Sequence, residues 1–488
     1  MRYLAFDLGA SSGKLLLGDF NGSKLKMQEI HRFPNHPINM GRGIYWDYLY
    51  IYSEMIKGIR KAHSESEFVS MGIDGFCNDF SFISKDGELL SPVRAYRDGR
   101  TKRCMEKIKN KMPDEELYKL TGNLSTSANT RIQLAAMQEE GQAYIFEKCD
   151  KMLFLPDLLL YYLTGEKIAE FTLSSVSQLM SYQTKQWDTE ILNTFSIPER
   201  MMGNIVNPGV VIGKSQCKLE GLDDIKPFNI TTVCEHDTAS AFAPFLYSEN
   251  EAVISSGTWT LCGVPISNPI NSKNAMNRDI TNEGNMDGKY FLVKSIMGTW
   301  LIQETIRDYE LKGFSYGYNE IDAMISETKP FSFAFDVDDE ELFTPGNMIR
   351  KIRNKCYEFN GMMPDTPGEI FRCIQECMAF KCRLALDELQ EQTHSYFSRI
   401  HIIDGGSKDS IFCSYIANVC NKQVYAGMNF ASAAGNVLVQ MIGHHEISSL
   451  EEGCSLLQDS ILPKVFEPKD VLLWNERYYY YLEQLNNQ

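Results

Sequence analysis

The chain has 488 residues, more than one ordinary core accommodates, and this length predicts two or three domains. With 43% hydrophobic and 23% charged residues, the composition excludes a disordered or fibrous chain and is typical of globular proteins. A formal net charge of -16 disfavours binding to nucleic acid or to an anionic membrane, although backbone N–H groups can still hold a small phosphate.

The N-terminus runs directly into an apolar strand, so we expect no signal peptide, and the most apolar stretch, 153–163, is too short to span a bilayer. The 13 cysteines are an odd number spread along the chain. We therefore expect free thiols in a reduced, cytoplasmic protein. Cys373 and Cys377 lie four residues apart on a predicted helix without further ligands at zinc spacing, which favours core packing over a metal site.

Strand-like and helix-like segments alternate, which predicts an α/β fold. In chain order, the sequence predicts strands at 3–9, 14–20, 69–74 and 79–84, helices at 102–120, 129–146 and 239–246, strands at 252–256, 259–264 and 290–294, helices at 297–308 and 367–393, a strand at 400–404, and helices at 409–420 and 431–443. Two strands around a glycine turn open the chain, and the same unit recurs near residue 252. This recurrence indicates two related domains, 1–245 and 246–488.

The first glycine turn reads Asp7-Leu-Gly-Ala-Ser-Ser-Gly-Lys14. It is not a P-loop, because only three residues separate Gly9 from Gly13 and a strand, not a helix, follows. A hairpin of small residues can still present backbone N–H groups and hydroxyls to phosphate, and Asp7 at the strand end could hold a hydrated Mg²⁺. The alternative is a plain hairpin turn whose small residues satisfy backbone geometry.

Two acidic residues are candidates for chemistry on an alcohol. Asp237 in Glu235-His-Asp-Thr-Ala-Ser240 could accept a hydroxyl proton during phosphoryl transfer, or could be the N-cap of the next helix. Asp79 lies in an apolar strand pair, where a carboxylate must be paired or solvated, and it could bind sugar hydroxyls or be a strand-edge carboxylate.

The second glycine turn, Ser255-Ser-Gly-Thr-Trp-Thr260, repeats the small residues, hydroxyls and flanking strands of the first turn. Two such loops, one in each half of the chain, could grip one nucleotide from both sides. Their joint occurrence favours a phosphate-binding function over two unrelated hairpins.

The chain resembles the FGGY carbohydrate kinases, and within them the branch that acts on L-rhamnulose. The resemblance is carried, in the family's order, by the two glycine turns and the segment 235–240, and also by Tyr96–Thr101, Leu155–Leu158, Leu163–Gly165, Asn282–Gly284, Ile296–Trp300, Gly405–Ser407 and Ala431–Asn436. It implies a ribonuclease H-like, actin-like ATPase fold of two lobes, each with a mixed sheet flanked by helices, with the active site between them.

The resemblance also implies roles for individual residues. Asp237 would be the catalytic base. The ATP contacts would come from Ala10, Ser11, Ser12, Gly13, Lys14, Thr258, Gln303 and Gly405. The sugar contacts would come from Cys77, Asp79, His236, Thr238 and Ser295.

The chain departs from the family pattern at three places. Phe76-Cys-Asn-Asp79 stands where many relatives have Trp-Gly-Val-Asp, Ser295 stands where they often have Asn, and Asp404 replaces the usual first glycine of a glycine run. The expected reaction is ATP-dependent phosphorylation of L-rhamnulose at O1 by a monomer or homodimer. The alternatives are another ketose kinase, for L-fuculose or L-xylulose, and a non-catalytic actin-like nucleotide-binding protein.

Overall fold

The computed structural model of the chain describes residues 1–216, 221–248, 250–460 and 462–487. The chain forms two compact units, and each unit is assembled from three separate segments. Unit 1 comprises Met1–Ser248, Pro265–Leu292 and Phe430–Ser460; unit 2 comprises Glu249–Val264, Val293–Asn429 and Ile461–Gln488. No helix within the described ranges is long and apolar enough to cross a membrane.

The strands alternate with helices along the whole chain. They are β1 (Arg2–Leu8), β2 (Ser12–Phe20), β3 (Leu25–Pro34), β4 (Ile38–Asn39), β5 (Ile44–Tyr45), β6 (Ser70–Gly75), β7 (Phe80–Ile83), β8 (Lys151–Phe154), β9 (Ile168–Glu170), β10 (Met180–Ser181), β11 (Gln186–Trp187), β12 (Asn204–Val206), β13 (Val211–Lys214), β14 (Asn229–Thr231), β15 (Glu251–Ser256), β16 (Trp259–Ile266), β17 (Ile280–Gly284), β18 (Tyr290–Met297), β19 (Arg399–Ile403), β20 (Gln423–Met428) and β21 (Lys464–Phe466).

The helices are α1 (Tyr48–Glu65), α2 (Arg100–Lys109), α3 (Asp114–Thr121), α4 (Thr130–Glu139), α5 (Tyr144–Lys148), α6 (Leu155–Thr164), α7 (Phe171–Val176), α8 (Thr189–Thr194), α9 (Asp237–Phe242), α10 (Lys273–Asn277), α11 (Trp300–Leu311), α12 (Tyr318–Glu327), α13 (Met348–Asn360), α14 (Pro367–Thr393), α15 (Ser410–Cys420), α16 (Ala431–Gly443), α17 (Leu450–Ser460) and α18 (Val471–Asn486).

The same strand arrangement occurs twice. In unit 1, β1 pairs antiparallel with β2 and parallel with β6, within a six-stranded sheet of order β13-β14-β6-β1-β2-β3. In unit 2, β15 pairs antiparallel with β16 and parallel with β19, and the sheet continues through β20 to β21. The duplication that the two glycine turns suggested therefore extends to a third strand in each sheet.

Several predicted elements differ from those observed. The predicted helix 102–120 is two helices, α2 and α3, because Pro113 cannot continue the first helix. The predicted helix 129–146 is broken between α4 and α5 at Gly141, which has a φ of 75°. The predicted strands 69–74 and 79–84 are not partners, since β6 lies in the central sheet and β7 pairs with β8.

The central strands of the unit 1 sheet are buried on both faces. Six of the seven β1 residues are buried, as are all six β6 residues, which is typical of a central strand covered by helices. Helix α16 packs against β1, β6 and α9. This packing places the ends of β1 and β6 and the start of α9 next to one another.

Candidate functional site

The β1–β2 hairpin loop is held by a small number of hydrogen bonds. The Gly9 N–H donates to the Ser12 carbonyl at 3.0 Å, and Asn35 donates from its side chain to Gly9 and from its backbone to Ser11. Within the described part of the chain, no acceptor is bonded to the N–H groups of Ala10 and Ser11. Two consecutive donors at an open loop are suited to binding a phosphate oxygen.

Gly13 and Lys14 at the start of β2 have different environments. A Cβ on Gly13 would lie 2.1 Å from the ring of Phe33, so packing alone requires glycine there. Lys14 Nζ lies 3.1 Å from Asp7 Oδ2 and points back towards the carboxyl end of β1. Lys14 is therefore a cation beside both the loop and Asp7.

Three carboxyl groups are clustered at this edge of the sheet. Asp7 and Asp74 are register partners on β1 and β6, and the charges of Asp7 and Asp237 add to burial in raising the pKa of Asp74 well above its usual value. Asn436 Nδ2 donates to one oxygen of Asp74 at 2.7 Å, whereas the other oxygen has no partner among the described residues. The cluster is a site of concentrated negative potential that Lys14 balances only in part.

The segment that carries Asp237 is fixed by backbone contacts. The Gly75 N–H donates to the Glu235 carbonyl at 2.9 Å, and the His236 N–H donates to the Thr172 hydroxyl at 3.0 Å. The same hydroxyl donates to Glu170, which caps α7. Two elements, β6 and α7, thus fix the chain where α9 begins.

Asp237 is the first residue of α9 and not its cap. The N-cap position is His236, whose side chain makes no capping bond, while Asp237 Oδ1 accepts the Thr238 N–H at 2.7 Å. One third (33%) of the Asp237 side-chain surface is exposed. Burial of the carboxyl group, and then the charge of Asp7, raise the pKa of Asp237 to about 6. This pKa suits a general base near neutral pH.

The residues predicted for sugar binding lie in unlike environments. Asp79 has no exposed surface, and its oxygens accept from Trp46 Nε1 at 2.5 Å and from Gln133 Nε2 at 3.2 Å. Because Asp79 is fully enclosed, a sugar hydroxyl could reach it only if a side chain that covers it moved. Burial raises the pKa of the Cys77 thiol, and the charges of Asp237 and other carboxylates raise it further, which places Cys77 beside the candidate base.

Three further carboxyl groups are fully buried under this segment: Asp157, Glu170 and Glu235. Burial raises the pKa of each, that of Glu170 to about 7. The charge of Glu170 raises the pKa of Asp157 further, and the charges of Asp157 and Glu170 raise that of Glu235 further. Groups of this kind remain neutral by sharing protons. No local sequence pattern indicated this cluster.

In unit 2, the β15–β16 loop is the counterpart of the first hairpin. Its backbone bonds the start of α11, with the Thr299 N–H donating to the Gly257 carbonyl at 2.9 Å and the Gly298 N–H donating to Thr258 at 3.2 Å. Gln303 on α11 reaches Thr299 at 3.3 Å. The structure therefore brings Thr258 and Gln303 together.

Gly405 lies against the same loop, since a Cβ added there would be 3.6 Å from the Ser256 carbonyl. Gly406 is packed more tightly, with its Cβ position 2.3 Å from that of Ser256. Asp404, which replaces a glycine of the family pattern, accepts the Ser255 hydroxyl at 2.6 Å. Ser295 is exposed on β18, next to β16 in the sheet.

Glu283 is a charged residue near Asp237 that the sequence analysis quoted only as part of a motif. It lies on β17, and its Oε2 is 3.6 Å from His236 Nδ1. The available signal was its position in Asn282-Glu-Gly284. The sequence could not predict its contact with His236, because β17 is far from His236 along the chain.

Models of two domains of one family match the chain. The N-terminal domain of the FGGY family of carbohydrate kinases matches residues 2–243, and the C-terminal domain matches residues 252–444. A rhamnulokinase of Oceanobacillus iheyensis is 34% identical over 461 residues, covering 94% of this chain and 96% of that protein. A rhamnulokinase of Bacteroides thetaiotaomicron is 33% identical over 482 residues, covering 98% of each chain.

Solved structures share the fold at lower identity. A ligand-bound xylulose kinase from Lactobacillus acidophilus has a TM-score of 0.83 at 15% identity, covering 100% of this chain and 98% of that one. A glycerol kinase from Plasmodium falciparum with ADP has a TM-score of 0.78 at 16% identity, covering 100% and 97%. These likenesses confirm the predicted fold class.

Proposed function

Because the chain belongs to the FGGY family of carbohydrate kinases, we propose that it transfers the γ-phosphoryl group of ATP to O1 of L-rhamnulose. The choice of sugar is supported by relatives named rhamnulokinase that are 32–34% identical over nearly the whole chain. The observation that carries the reaction is the partly exposed Asp237 at the start of α9, whose pKa is raised to about 6.

Asp237 acts as the general base. Its Oδ1 is occupied by the Thr238 N–H, and no described residue donates to Oδ2. Oδ2 is therefore the oxygen that accepts the O1 proton while the phosphoryl group is transferred. His236 and Thr238, whose positions are fixed by the same helix start, orient the sugar.

The two glycine loops bind the ATP phosphates. In the first loop this role belongs to the N–H groups of Ala10 and Ser11, the hydroxyl of Ser12 and Lys14, and in the second loop it belongs to Thr258. Gln303 and Gly405 line the nucleotide. This assignment is supported by Gly257 and Gly405, which have no positive φ and no close neighbour that would exclude a side chain. A close approach of ligand to backbone explains such glycines.

Asp7 would hold the Mg²⁺ that accompanies ATP. The fit rests on the carboxyl cluster: Asp7 lies beside Asp74 and Asp237, whose mutual repulsion a divalent cation would relieve. Mg²⁺ bound with phosphates needs only one or two protein carboxylates. No set of three metal-ligating side chains converges among the residues described, and the proposal requires none. Bound Mg²⁺ would offset the negative charge of the phosphates.

Five residues form the sugar side: Cys77, Asp79, His236, Thr238 and Ser295. Cys77 is beside Asp237, whereas Asp79 is enclosed and supports the site through Trp46 and Gln133. We place the two kinase lobes at 1–245 and 246–488. The enzyme is expected in the cytoplasm as a monomer or homodimer.

A substrate panel tests the proposal. ADP release is measured with L-rhamnulose, L-fuculose, L-xylulose, D-xylulose and glycerol. We expect the highest kcat/KM for L-rhamnulose, because each misplaced hydroxyl leaves a buried partner unpaired at a cost of about 1–3 kcal/mol. A tenfold preference for another ketose would overturn the choice of sugar, and sugar-independent ADP release would overturn the kinase reaction.

A further inference from the structure

His236 lies between two carboxyl groups. Its Nε2 is 3.5 Å from Asp237 Oδ1, and its Nδ1 is 3.6 Å from Glu283 Oε2. His236 Nδ1 and Glu283 Oε2 are both buried, and neither has a hydrogen-bond partner within the described residues. At this distance the two buried atoms are within the range of an ion pair, and they are too far apart for a hydrogen bond.

The surroundings hold both side chains in place. The His236 backbone is bound by Thr172, and 7% of its side-chain surface is exposed. Glu283 is fixed because β17 lies against α7, where the Gly284 N–H donates to Ser175 Oγ at 2.9 Å. A Cβ on Gly284 would lie 2.7 Å from the same oxygen, so only glycine at this position allows β17 to lie this close to α7.

The titratable groups that face this pair are few. Asp237 faces the imidazole from α9, and Glu283 faces it from β17. The Cys77 thiol, which precedes β7, is close enough to both carboxylates for their charges to raise its pKa. Burial lowers the pKa of His236 while Glu283 raises it, and burial raises the pKa of Glu283.

The number of protons that Glu283 and His236 carry determines whether Nε2 presents a lone pair or a proton to Asp237. A neutral imidazole with its proton on Nδ1 would turn the lone pair of Nε2 towards the Asp237 carboxylate, which is repulsive. In the other arrangement, either Glu283 or Nδ1 carries one proton and Nε2 carries a second. In both of these forms, Nε2–H points towards Asp237.

Building on the kinase function proposed above, we propose that Glu283 is a positioning residue, which keeps a proton on His236 Nε2 and thereby holds Asp237 Oδ1. With the Thr238 N–H bonded to Oδ1 and His236 Nε2 lying 3.5 Å from the same oxygen, Oδ2 is left to accept the sugar proton. Glu283 itself contacts neither the nucleotide nor the transferred group.

The variant Glu283→Gln tests whether Glu283 positions the imidazole or acts only as a nearby negative charge. Gln keeps the volume but can present a donor or an acceptor to Nδ1, so the imidazole is no longer fixed. We expect kcat to fall by roughly ten- to a hundredfold, the loss expected for a charge-assisted hydrogen bond, with the KM for ATP unchanged.

The direction in which the acid limb of kcat/KM moves decides between two roles. In the unaltered enzyme this limb should report the protonation of Asp237. Loss of a donor to Asp237 raises its pKa, so Glu283→Gln should move the limb to higher pH by about one unit. If Glu283 acted only as a nearby negative charge, its removal would move the limb to lower pH, and that result would overturn the proposal.

A matched control and an independent readout complete the test. Glu54→Gln alters another buried pair of unit 1, in which Glu54 Oε2 lies 2.7 Å from His31 Nε2, and it should leave the pH profile unchanged. NMR of ¹⁵N-histidine-labelled unaltered enzyme should show a proton on His236 Nε2 from pH 6 to 8. A proton on Nδ1 alone would refute the inference even if Glu283→Gln does not fold.

Failure of the proposed function is distinguishable from failure of this inference. If the unaltered enzyme phosphorylates none of the sugars in the panel, the function is wrong, while the NMR result still reports on the His236 proton. If the enzyme is an active kinase and Glu283→Gln changes neither kcat nor the acid limb, the function stands and the role of Glu283 is rejected.

Discussion

Asp237 presents its two oxygens to different surroundings, and this asymmetry determines what a substitution should reveal. Oδ1 takes the Thr238 N–H in the first turn of α9, which is the part of the side chain that a cap would use. Oδ2 takes no donor from the described residues. Asparagine can reproduce the first contact through its own Oδ1, and it cannot accept a proton at the second position.

We therefore expect Asp237→Asn to retain the fold and ATP binding and to lose most of the turnover. Removal of a general base lowers kcat by on the order of 100- to 10,000-fold. Steady-state kinetics and calorimetric titration with an ATP analogue measure the two properties separately. Asp224→Asn, at a side chain with 61% of its surface exposed, is the control. Near-normal kcat in Asp237→Asn would leave Asp237 a purely structural helix-start residue.

At the scale of elements, the two hairpin loops contain glycine for different reasons. Gly13 is required by the ring of Phe33, since an added Cβ would lie 2.1 Å from it. Gly257 has no such neighbour: its Cβ position is 3.8 Å from the nearest atom, the Trp259 carbonyl, and its φ is not positive. Packing explains the first glycine, and the phosphate-binding role proposed for this loop would explain the second.

Gly257→Val should therefore weaken ATP binding without unfolding the protein. The added side chain would project into the space from which a phosphate approaches the loop backbone. We expect at least a tenfold rise in the KM for ATP, by comparison with the loss of one charge-assisted hydrogen bond, and little change in sugar binding. Thermal unfolding confirms that the fold persists. An equal loss of affinity for both ligands would contradict the assignment of this loop to phosphate.

The contact between α16 and α9 makes a second element-scale prediction. A Cβ on Gly435 would lie 1.8 Å from the Ser240 carbonyl, and the Ser240 N–H bonds the His236 carbonyl at 2.9 Å. Gly435→Ala should displace the first turn of α9 and lower the free energy of unfolding by about 3 kcal/mol, the upper end for overpacking.

The measurement for Gly435→Ala is urea unfolding together with kcat. Gly213→Ala provides the matched control, because its Cβ would come no closer than 3.8 Å to any neighbour, Thr164. Since α9 begins at Asp237, kcat should fall along with stability in Gly435→Ala. A stable variant with full kcat would show that α9 does not depend on this close contact.

The sequence was most informative where one element decides its own structure. The hairpins β1–β2 and β15–β16 follow from apolar runs around small residues, and the family resemblance, which the domain matches confirm, supplied the roles. The predicted helix 102–120 was wrong in its extent, because Pro113 prevents one continuous helix. The strand partner of β7 could not be predicted, because a local pattern indicates a strand and says nothing of its partner.

Groups assembled from distant segments could not be predicted. Glu283 meets His236 only because β17 packs against α7, and Asp74 meets Asn436 only because α16 returns to unit 1. The discontinuity of the units has the same origin. Segments 265–292 and 430–460 belong to the first unit, and this depends on tertiary packing that no local pattern encodes.

At the scale of the whole molecule, buried carboxyl groups couple folding to protonation. Asp79, Glu170 and Glu376 are at most 2% exposed, and burial raises the pKa of each to about 7. In the unfolded chain such groups have pKa values of about 4. The folded protein thus binds more protons than the unfolded chain between these values.

We therefore expect the free energy of unfolding to decrease as pH rises from 6.5 to 8. A carboxyl group with a raised folded-state pKa contributes stability below its unfolded pKa, and that contribution is lost as pH passes through the folded value. Each of the three groups should contribute a loss on the order of 1 kcal/mol over this interval. Burial lowers the pKa of His236 and His444, which gives the opposite slope. Because unfolded histidines titrate near pH 6.5, each offsets about 0.4 kcal/mol of the loss, mostly below pH 7.5, and the carboxyl groups still determine the direction.

Urea unfolding at several pH values in this interval measures the slope, and Glu170→Gln tests its origin. Glutamine keeps an acceptor for the Thr172 and Leu173 N–H groups that Glu170 caps, but it does not titrate. The variant should be less sensitive to pH than the unaltered protein by about the contribution of one group. Glu67→Gln, at a side chain with 77% of its surface exposed, should leave the slope unchanged. Stability that increases from pH 6.5 to 8, or a slope that Glu170→Gln does not reduce, would mean that these carboxyl groups are already ionised in the folded protein at pH 6.5, with their charge stabilised by the donors that surround them.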